Sequence, residues 1–173
     1  MIVLIVIAGS ASYYWYFMRP PPAPAEPIKI GFEAPLTGPM AWDGTYMLYG
    51  AKVAEAIINE RGGVLGRPIK IIAEDDESKP EKGAAAVEKL ITKDGVVGVV
   101  GCLHSSVAFA IIEKAIKKYG CPFVITNAWR DDLTVMAHET PGIFRVTTYV
   151  GYNLGFYADF IKSTGAKNIV CYS

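Results

Sequence analysis

The sequence predicts an α/β fold in which an open, doubly wound and mostly parallel sheet carries helices on both faces. Two observations predict it. From Ile28 onward, short apolar runs rich in Val and Ile alternate with segments whose apolar residues recur at helical spacing. Pro and Gly residues mark many of the boundaries between them. Successive strands that are joined through a helix pair in parallel, and helices then cover both faces of the sheet.

The elements follow one another in a regular order along the chain. The predicted strands are IKIGFEAP, RPIKIIAEDD, VVGVVGCL, CPFVITNA, IFRVTT and NIVCYS. The predicted helices are DGTYMLYGAKVAEAIINERGG, EKGAAAVEKLITKDG, SSVAFAIIEKAIKKYG and YNLGFYADFIKSTG. A chain of 173 residues is long enough for one domain of ordinary size.

The first helix is predicted from the spacing of its apolar residues. Val53, Ile57 and Ile58 are expected on one face of it. Gly62 and Gly63 follow the last residue of this pattern, and glycine at that place commonly ends a helix. The first helix is therefore expected to stop just before this pair.

The second and third helices carry their own start and stop signals. Ser78 with Glu81 fits the S-x-x-E capping box ahead of the second helix. Pro80 falls in its first turn, where a missing backbone N–H costs nothing. Gly120 is expected to end the third helix, after lysines that suit the negative end of the helix dipole.

The N-terminal part differs from the rest of the chain. Residues 1–18 contain no charged side chain and end in a cluster of aromatic residues, which is typical of a membrane anchor near the lower length limit. Residues 19–27, RPPPAPAEP, are predicted to form a stiff, extended linker. A cleaved signal peptide with GSAS as a weak cleavage site is the alternative. Arg19 lies on the side of the head, which the positive-inside rule disfavours for an exported head.

Charge and cysteine content argue against nucleic-acid binding and against a fold built on disulfides. The formal net charge is zero, so the sequence shows no electrostatic footprint for nucleic acid. Cys102, Cys121 and Cys171 each lie in or beside an apolar run, and no CxxC motif is present. Buried, small apolar residues are the favoured interpretation, although one disulfide pair stays open.

Functional residues are expected at the carboxyl ends of the strands, because ligands of such sheets bind there. The segments concerned are residues 33–42, 74–78, 101–106 and 126–130. Ser105 and Ser106 stand where the third strand gives way to the third helix. A helix start has unpaired N–H groups and partial positive charge, so the hydroxyls and amides there can hold a carboxylate. The alternative is a plain N-cap on a scaffold helix.

Motifs for nucleotides, metals and catalysis are not supported. GVVGVVG has the wrong spacing for GxGxxG and lies inside a strand pattern. The acidic cluster Glu74–Glu77 is interpreted as a solvated loop rather than a metal site, since consecutive carboxylates point in alternate directions. His104 and His138 fit no metal-binding spacing. No elbow of the G-x-S-x-G type is present, so neither an enzyme nor a bound cofactor is predicted.

Four segments in order carry a family resemblance: GPMAWDG, INERGGVLGRPIK, EDDESKP and VVGCLHSS. Together with PFVITNAWRDDLT and IFRVTT, they resemble the N-terminal part of substrate-binding proteins of ABC transporters for branched-chain amino acids and amides. The resemblance implies a two-lobed clamshell of the type I periplasmic-binding fold. Residues 28–146 would form the first lobe. Residues 147–173 would form the hinge and the start of a second lobe that lacks its remaining ligand contacts, so affinity from this chain alone is expected to be poor.

The resemblance also implies where a ligand would bind. Its carboxylate would lie at Ser105 and Ser106, with further contacts from Ala128 and Trp129 on the fourth loop. An aromatic side chain, here Trp42, would lie against its side.

Three departures from the family pattern stand out. Trp129 occupies a place that usually holds Thr or Ser, so an amino acid ligand is not assured. Asp43, rather than Trp42, directly precedes Gly44. Some members carry a disulfide between the second and third strand ends, where Ser78 and His104 stand here.

The expected function is that of an extracytoplasmic, membrane-anchored solute-binding component of an ABC importer. It would bind a small amino acid, amide or similar solute and deliver it to the permease subunits. If residues 1–18 are cleaved, the protein would be periplasmic or secreted. A ligand-binding sensor of the same fold and a non-functional truncated fragment are the alternatives.

Overall fold

The computed structural model describes residues 25–148, 150–165 and 168. The predicted anchor, most of the linker and the predicted strand NIVCYS beyond Asn168 lie outside the described residues. Five parallel strands form one sheet in the order β2-β1-β3-β4-β5. The strands are β1 (Ile28–Ala34), β2 (Ile69–Asp75), β3 (Val99–Gly101), β4 (Phe123–Ile125) and β5 (Ile143–Arg145).

Among the described residues, five α-helices of seven or more residues accompany the sheet. They are α1 (Ala41–Glu60), α2 (Pro80–Lys89), α3 (Ser105–Ile111), α4 (Asp132–Glu139) and α5 (Val150–Thr164). A π-helical turn at Leu90–Asp94 extends α2, and a second at Ile112–Ile116 leads from α3 into the short turn Lys117–Tyr119. The predicted α/β class is confirmed, whereas α4 was not predicted from the sequence.

The main hydrophobic core lies on one face of the sheet, beneath α2, α3 and α4. Buried strand residues such as Val99 and Phe123 pack there against Leu90, Ile111 and Leu133. A core of this kind supplies most of the driving force for folding, because apolar area is removed from water.

The opposite face of the sheet is covered by α1 over β1 and β2. Ala54 and Ile58 of α1, with Ile30 and Ile71 of the strands, line a hollow of about 330 Å³ there. The prediction that Val53 and Ile57 share a face with Ile58 needs correction. Ile58 lines the hollow, whereas Val53 and Ile57 are 58% and 43% exposed.

The observed helix ends agree only partly with the glycine, proline and capping-box patterns in the sequence. Gly62 and Gly120 have left-handed φ angles of 93° and 66° and follow their helices as predicted. Pro80 is the first residue of α2. The capping box is wrong, because Lys79 is the N-cap residue and no side chain caps α2. Ser78 Oγ instead lies 3.1 Å from Nε2 of His104.

Candidate functional site

The candidate site lies at the carboxyl ends of β1, β3 and β4. The strand order means that the chain moves outward from β1 to β2 and then returns to the other side of β1 to form β3. The loops that follow β1 and β3 therefore lead to opposite faces of the sheet and leave a crevice between them. Small ligands of open parallel sheets bind in this kind of crevice.

Ser105 is the first residue of α3, and its side chain contacts the loop that follows β4. Its Oγ accepts hydrogen bonds from the backbone N–H of Trp129 (3.1 Å) and of Arg130 (3.3 Å). A hydroxyl has two acceptor lone pairs and one O–H donor. Because both acceptor positions are used, the hydroxyl is left to donate, and a carboxylate oxygen is a strong acceptor for it.

The start of α3 has no capping side chain. His104 is the N-cap residue in an extended conformation, and Ser105 and Ser106 are the first two helical residues. The alternative of a plain serine N-cap is wrong, because Ser105 Oγ faces the neighbouring loop and no side chain caps this helix. Ser106 is exposed at the same turn. The partial positive charge of the helix start therefore faces the crevice without a capping oxygen.

The loop after β4 brings two further predicted site residues next to Ser105. Ala128 is 1% exposed and lies within the core cluster, whereas Trp129 is 52% exposed. The hydrogen bond from Trp129 N–H to Ser105 joins the two loops. The structure thus places Ser105, Ala128 and Trp129 together, as the sequence analysis expected, while their role in binding stays a prediction.

Trp42 lies apart from this group, in the first turn of α1. It is 72% exposed and makes an edge-on contact with Tyr46 at a ring-centroid distance of 4.8 Å. A hollow of about 290 Å³ beside it is lined by residues of α1 alone, namely Ala41, Trp42, Thr45, Tyr46 and Tyr49. Within the described residues, no hydrogen bond or ring contact joins Trp42 to Ser105 or Trp129.

A family model of periplasmic binding proteins matches residues 27–173, which include every strand and helix described above. The chain belongs to the periplasmic binding protein family. The family consists of substrate-binding proteins of transporters rather than enzymes, and its members are extracytoplasmic. Within the described part of the chain, no helix combines the length and the apolar character needed to span a membrane.

Two curated relatives with similar sequences are Leu/Ile/Val-binding proteins. Leu/Ile/Val-binding protein homolog 3 of Brucella melitensis is 32% identical over 134 residues, covering 78% of this chain and 35% of the relative. Leu/Ile/Val-binding protein BraC3 of Rhizobium johnstonii is 37% identical over 107 residues, covering 62% of this chain and 29% of the relative. The chain thus spans about a third of the length of the curated relatives it matches.

Solved structures of the family share the fold. The branched-chain amino acid transporter substrate-binding protein LivJ of Streptococcus pneumoniae, in complex with isoleucine, has a TM-score of 0.66 and 31% identity over 72% of this chain and 34% of its own. A solute-binding protein of an R. palustris ABC transporter, in complex with 4-hydroxybenzoate, has a TM-score of 0.71 and 26% identity over 82% of this chain and 37% of its own.

In this periplasmic binding protein, the acidic loop after β2 is structural. Asp75 Oδ1 accepts hydrogen bonds from the backbone N–H of Leu36 (2.8 Å) and Glu77 (2.9 Å), and its Oδ2 accepts one from the Thr37 hydroxyl. Partial burial alone would raise the pKa of Asp75, but these hydrogen bonds outweigh it and lower the pKa. Asp75 thereby fixes the loop that leads from β1 towards Trp42.

Two buried acids were not recognised in the sequence as a pair. Asp76 and Glu33 are both fully buried, so the interpretation of the acidic cluster as solvated is wrong for Asp76. Desolvation, followed by the contact with Asp76, raises the pKa of Glu33 well above its ordinary value. One signal was available, namely a charged residue inside the apolar pattern of a central strand.

Two of the three cysteines lie among the described residues. Cys102 and Cys121 are free and buried, and Cys171 lies outside the described residues. Burial, reinforced by Glu33 and Asp76, raises the pKa of the Cys102 thiol well above its ordinary value. Within the described ranges, no group of three or more His, Cys, Asp or Glu side chains is arranged to hold a metal.

Proposed function

We propose that this chain is the first ligand-binding lobe of an extracytoplasmic solute-binding protein that holds a small solute by its carboxylate. The single observation that carries the proposal is the hydrogen bonding of the Ser105 hydroxyl. Its oxygen is engaged by the amides of Trp129 and Arg130, so its proton is directed to an outside acceptor at the start of α3. An anion at that place also gains from the helix dipole.

The relatives support the choice of solute class. The streptococcal neighbour holds isoleucine, and the R. palustris neighbour holds 4-hydroxybenzoate. Both molecules carry a carboxylate on an apolar body, which fits a serine hydroxyl beside apolar and aromatic side chains. A branched-chain amino acid is the first candidate because the Brucella and Rhizobium relatives are Leu/Ile/Val-binding proteins.

Trp129 would act as the lid or wall of the pocket on this side. Its indole is half exposed and lies one residue beyond buried Ala128. A large flat side chain there favours solutes with a flat or extended apolar part. Ser106 would add a second hydroxyl, and Trp42 would contact the solute only after the lobe changes shape, since it lies in a separate hollow.

The organisation of the whole protein follows from this role. Residues 1–18 would anchor the protein, residues 19–27 would link the anchor to the head, and residues 28–146 would form the first lobe. Residues 147–173 would form the hinge and the beginning of a second lobe. The solute would bridge the lobes, shift the open–closed equilibrium and be delivered to ABC permease subunits.

The binding proposal is tested with the full chain in mild detergent by two-dimensional ¹⁵N–¹H NMR. Isoleucine and 4-hydroxybenzoate are titrated, and isoleucinamide, which lacks the carboxylate, serves as the control solute. Saturable shifts are expected at the amides of Ser105, Ser106 and Trp129 for at least one of the two acids and not for isoleucinamide. Equal binding of isoleucine and its amide, or no saturable shift with either acid, contradicts the proposal.

A pair of variants tests the role of Ser105. Ser105→Ala is expected to weaken binding roughly tenfold or more, because a hydrogen bond to a charged group contributes about 1.5–3 kcal/mol. Ser163→Ala is the matched control, since Ser163 lies on α5 and donates to the carbonyl oxygen of Phe160. It is expected to bind the solute as the unmodified chain does.

A further inference from the structure

Arg145 is the last residue of β5, and its guanidinium contacts three separate parts of the lobe. Nη1 donates to the carbonyl oxygen of Arg130 (2.8 Å) and to Oγ1 of Thr134 (2.8 Å). Nη2 donates to the carbonyl oxygens of Ala128 (2.8 Å) and Thr148 (3.2 Å). One side chain therefore joins the loop after β4, the first turn of α4 and the segment after β5.

The two loop carbonyls bound by Arg145 flank Trp129. The amides of Trp129 and Arg130 donate to Ser105 on the other side of the loop. The peptide groups around Trp129 are thus held by a hydroxyl from α3 and by a guanidinium from β5. Hydrogen bonds from both sides thus restrain the backbone from which the exposed indole projects.

The shape and charge of Arg145 suit this task. Burial lowers the pKa of the guanidinium, and the carboxylates of Asp131 and Asp132 act against that shift. A guanidinium stays protonated in proteins and presents its donors as a planar fork, whereas lysine offers a single compact ammonium. Lysine at this position can reach fewer than four acceptors in these directions.

The same loop is bound to the start of α5. The backbone N–H of Val150 donates to the carbonyl oxygen of Trp129 (3.1 Å). The backbone N–H of Gly151 donates to Oδ1 of Asp131 (3.2 Å). These two hydrogen bonds join Val150 and Gly151 directly to the loop that carries Trp129, and Arg145 links Thr148 to that loop indirectly.

We propose that Arg145 is a positioning residue, which holds the Trp129 loop in the geometry that binds solute and ties that loop to Thr148, ahead of α5. The part of this inference that concerns solute rests on the proposed function. The part that concerns the loop rests on the hydrogen bonds alone. A change of the loop on solute binding is then transmitted to the chain segment that enters α5.

The first arm of the test measures the loop without any solute. Amide hydrogen exchange is followed by NMR in the full chain for Trp129, Arg130 and Val150, with Val99 as the core reference, since Val99 N–H donates to Pro122 (2.8 Å). In Arg145→Lys, exchange of the loop amides is expected to accelerate roughly tenfold relative to Val99. Arg145→Ala is expected to accelerate it further.

Arg67→Lys is the matched control. Arg67 also donates from its guanidinium to a backbone carbonyl, that of Glu26 (2.8 Å), but it precedes β2 at the far edge of the sheet. It is expected to leave the exchange of Trp129 and Val150 unchanged. If Arg145→Lys and Arg145→Ala also leave the loop amides unchanged relative to Val99, the positioning role is overturned.

The second arm measures the dissociation constants of isoleucine and 4-hydroxybenzoate. Arg145→Lys is expected to weaken binding of the recognised solute at least tenfold, and Arg67→Lys is expected to leave it unchanged. A loosened loop with unchanged affinity overturns the claim that the loop geometry serves binding. If the unmodified chain binds neither acid, the proposed function fails, and the exchange data alone decide whether Arg145 positions the loop.

Discussion

Glu33 and Asp76 form a contact between two carboxyl groups in the interior of the lobe. Both residues are fully buried, and among the described residues neither oxygen of Glu33 accepts a hydrogen bond from an N–H or O–H donor. The charged groups that act on Glu33 are Asp76 and Asp75, both of them acids, and the thiol of Cys102 lies close by. Burial, and then the nearby carboxyl group of Asp76, raise the pKa of Glu33, because desolvation disfavours a buried negative charge and two such charges repel each other.

Replacement of Glu33 by Gln is expected to reduce the loss of stability that accompanies a rise in pH above about 4.5. The raised pKa means that folded Glu33 keeps its proton between the ordinary value of 4.5 and the raised value, where the unfolded chain has lost it. The free energy of unfolding therefore falls as pH rises through that window. Glu33→Gln keeps the volume, cannot ionise, and is expected to flatten this decline. At pH 8 it is expected to gain about 1–3 kcal/mol relative to its effect at pH 4.5.

Urea denaturation of the full chain between pH 4.5 and pH 8 measures this. Glu113→Gln is the matched control, since Glu113 is an exposed residue that pairs with Lys117 on the helix surface. Parallel curves for Glu33→Gln and the unmodified chain would show that Glu33 does not carry the proton.

Asp75 is expected to have the opposite effect on the pH dependence of stability, so that its contribution is lost as pH falls. Its lowered pKa means that its contribution to stability is complete above the ordinary value of 3.8 and is lost as pH falls through the folded pKa. Asp75→Asn keeps one acceptor oxygen but loses the charge and the partner of the Thr37 hydroxyl. We expect it to cost about 1 kcal/mol at pH 7 and less at pH 3.

The measurement is the same urea series, extended to pH 3. Asp159→Asn is the control, since Asp159 lies on exposed α5. A cost of Asp75→Asn that stays constant down to pH 3 contradicts the role of the charge.

Gly101 and Gly98 are expected to respond very differently to alanine. A Cβ on Gly101 would lie 2.1 Å from the carbonyl oxygen of Glu33 on the neighbouring strand, whereas one on Gly98 would lie 3.5 Å from its nearest neighbour, the carbonyl oxygen of Pro122. Gly101 also has a φ of +155°. Gly101→Ala is expected to cost about 2 kcal/mol or more, because the strands must separate. Gly98→Ala is expected to stay within about 0.5 kcal/mol, and equal unfolding midpoints would refute the close approach.

The order and type of the elements were accessible from the sequence because they rest on periodicity. The spacing of apolar residues indicates strands such as β1 and helices such as α3, and a glycine such as Gly120 marks a helix end. The eight residues of α4 are too few to show a clear period. Local patterns also misled at helix starts, since Ser78 fits a capping box but its amide is taken by Asp76 Oδ1 (2.6 Å).

The site was predictable only to the level of residues that share an edge of the sheet. Ser105, Ala128 and Trp129 follow neighbouring strands, so their proximity follows from the topology. The part played by Arg145 depends on partners that lie 3 to 17 residues away in sequence, and no motif encodes them. Glu33 is buried because β1 is central and covered on both faces, which requires the strand order.

Trp129 is expected to decide which acid the lobe prefers. Its indole is half exposed, and its backbone amide donates to Ser105. Trp129→Thr keeps the backbone amide that donates to Ser105 and opens space, so stability is expected to change by less than about 1 kcal/mol. The ratio of the dissociation constants of 4-hydroxybenzoate and isoleucine is expected to rise severalfold, because the flat ring loses a stacking partner worth about 0.5–1.5 kcal/mol. Isothermal titration with both acids measures this ratio, and Tyr157→Thr is the matched control, since Tyr157 is an exposed aromatic residue of α5. If Trp129→Thr leaves the ratio unchanged, the indole lies outside the pocket, and selectivity depends on other residues.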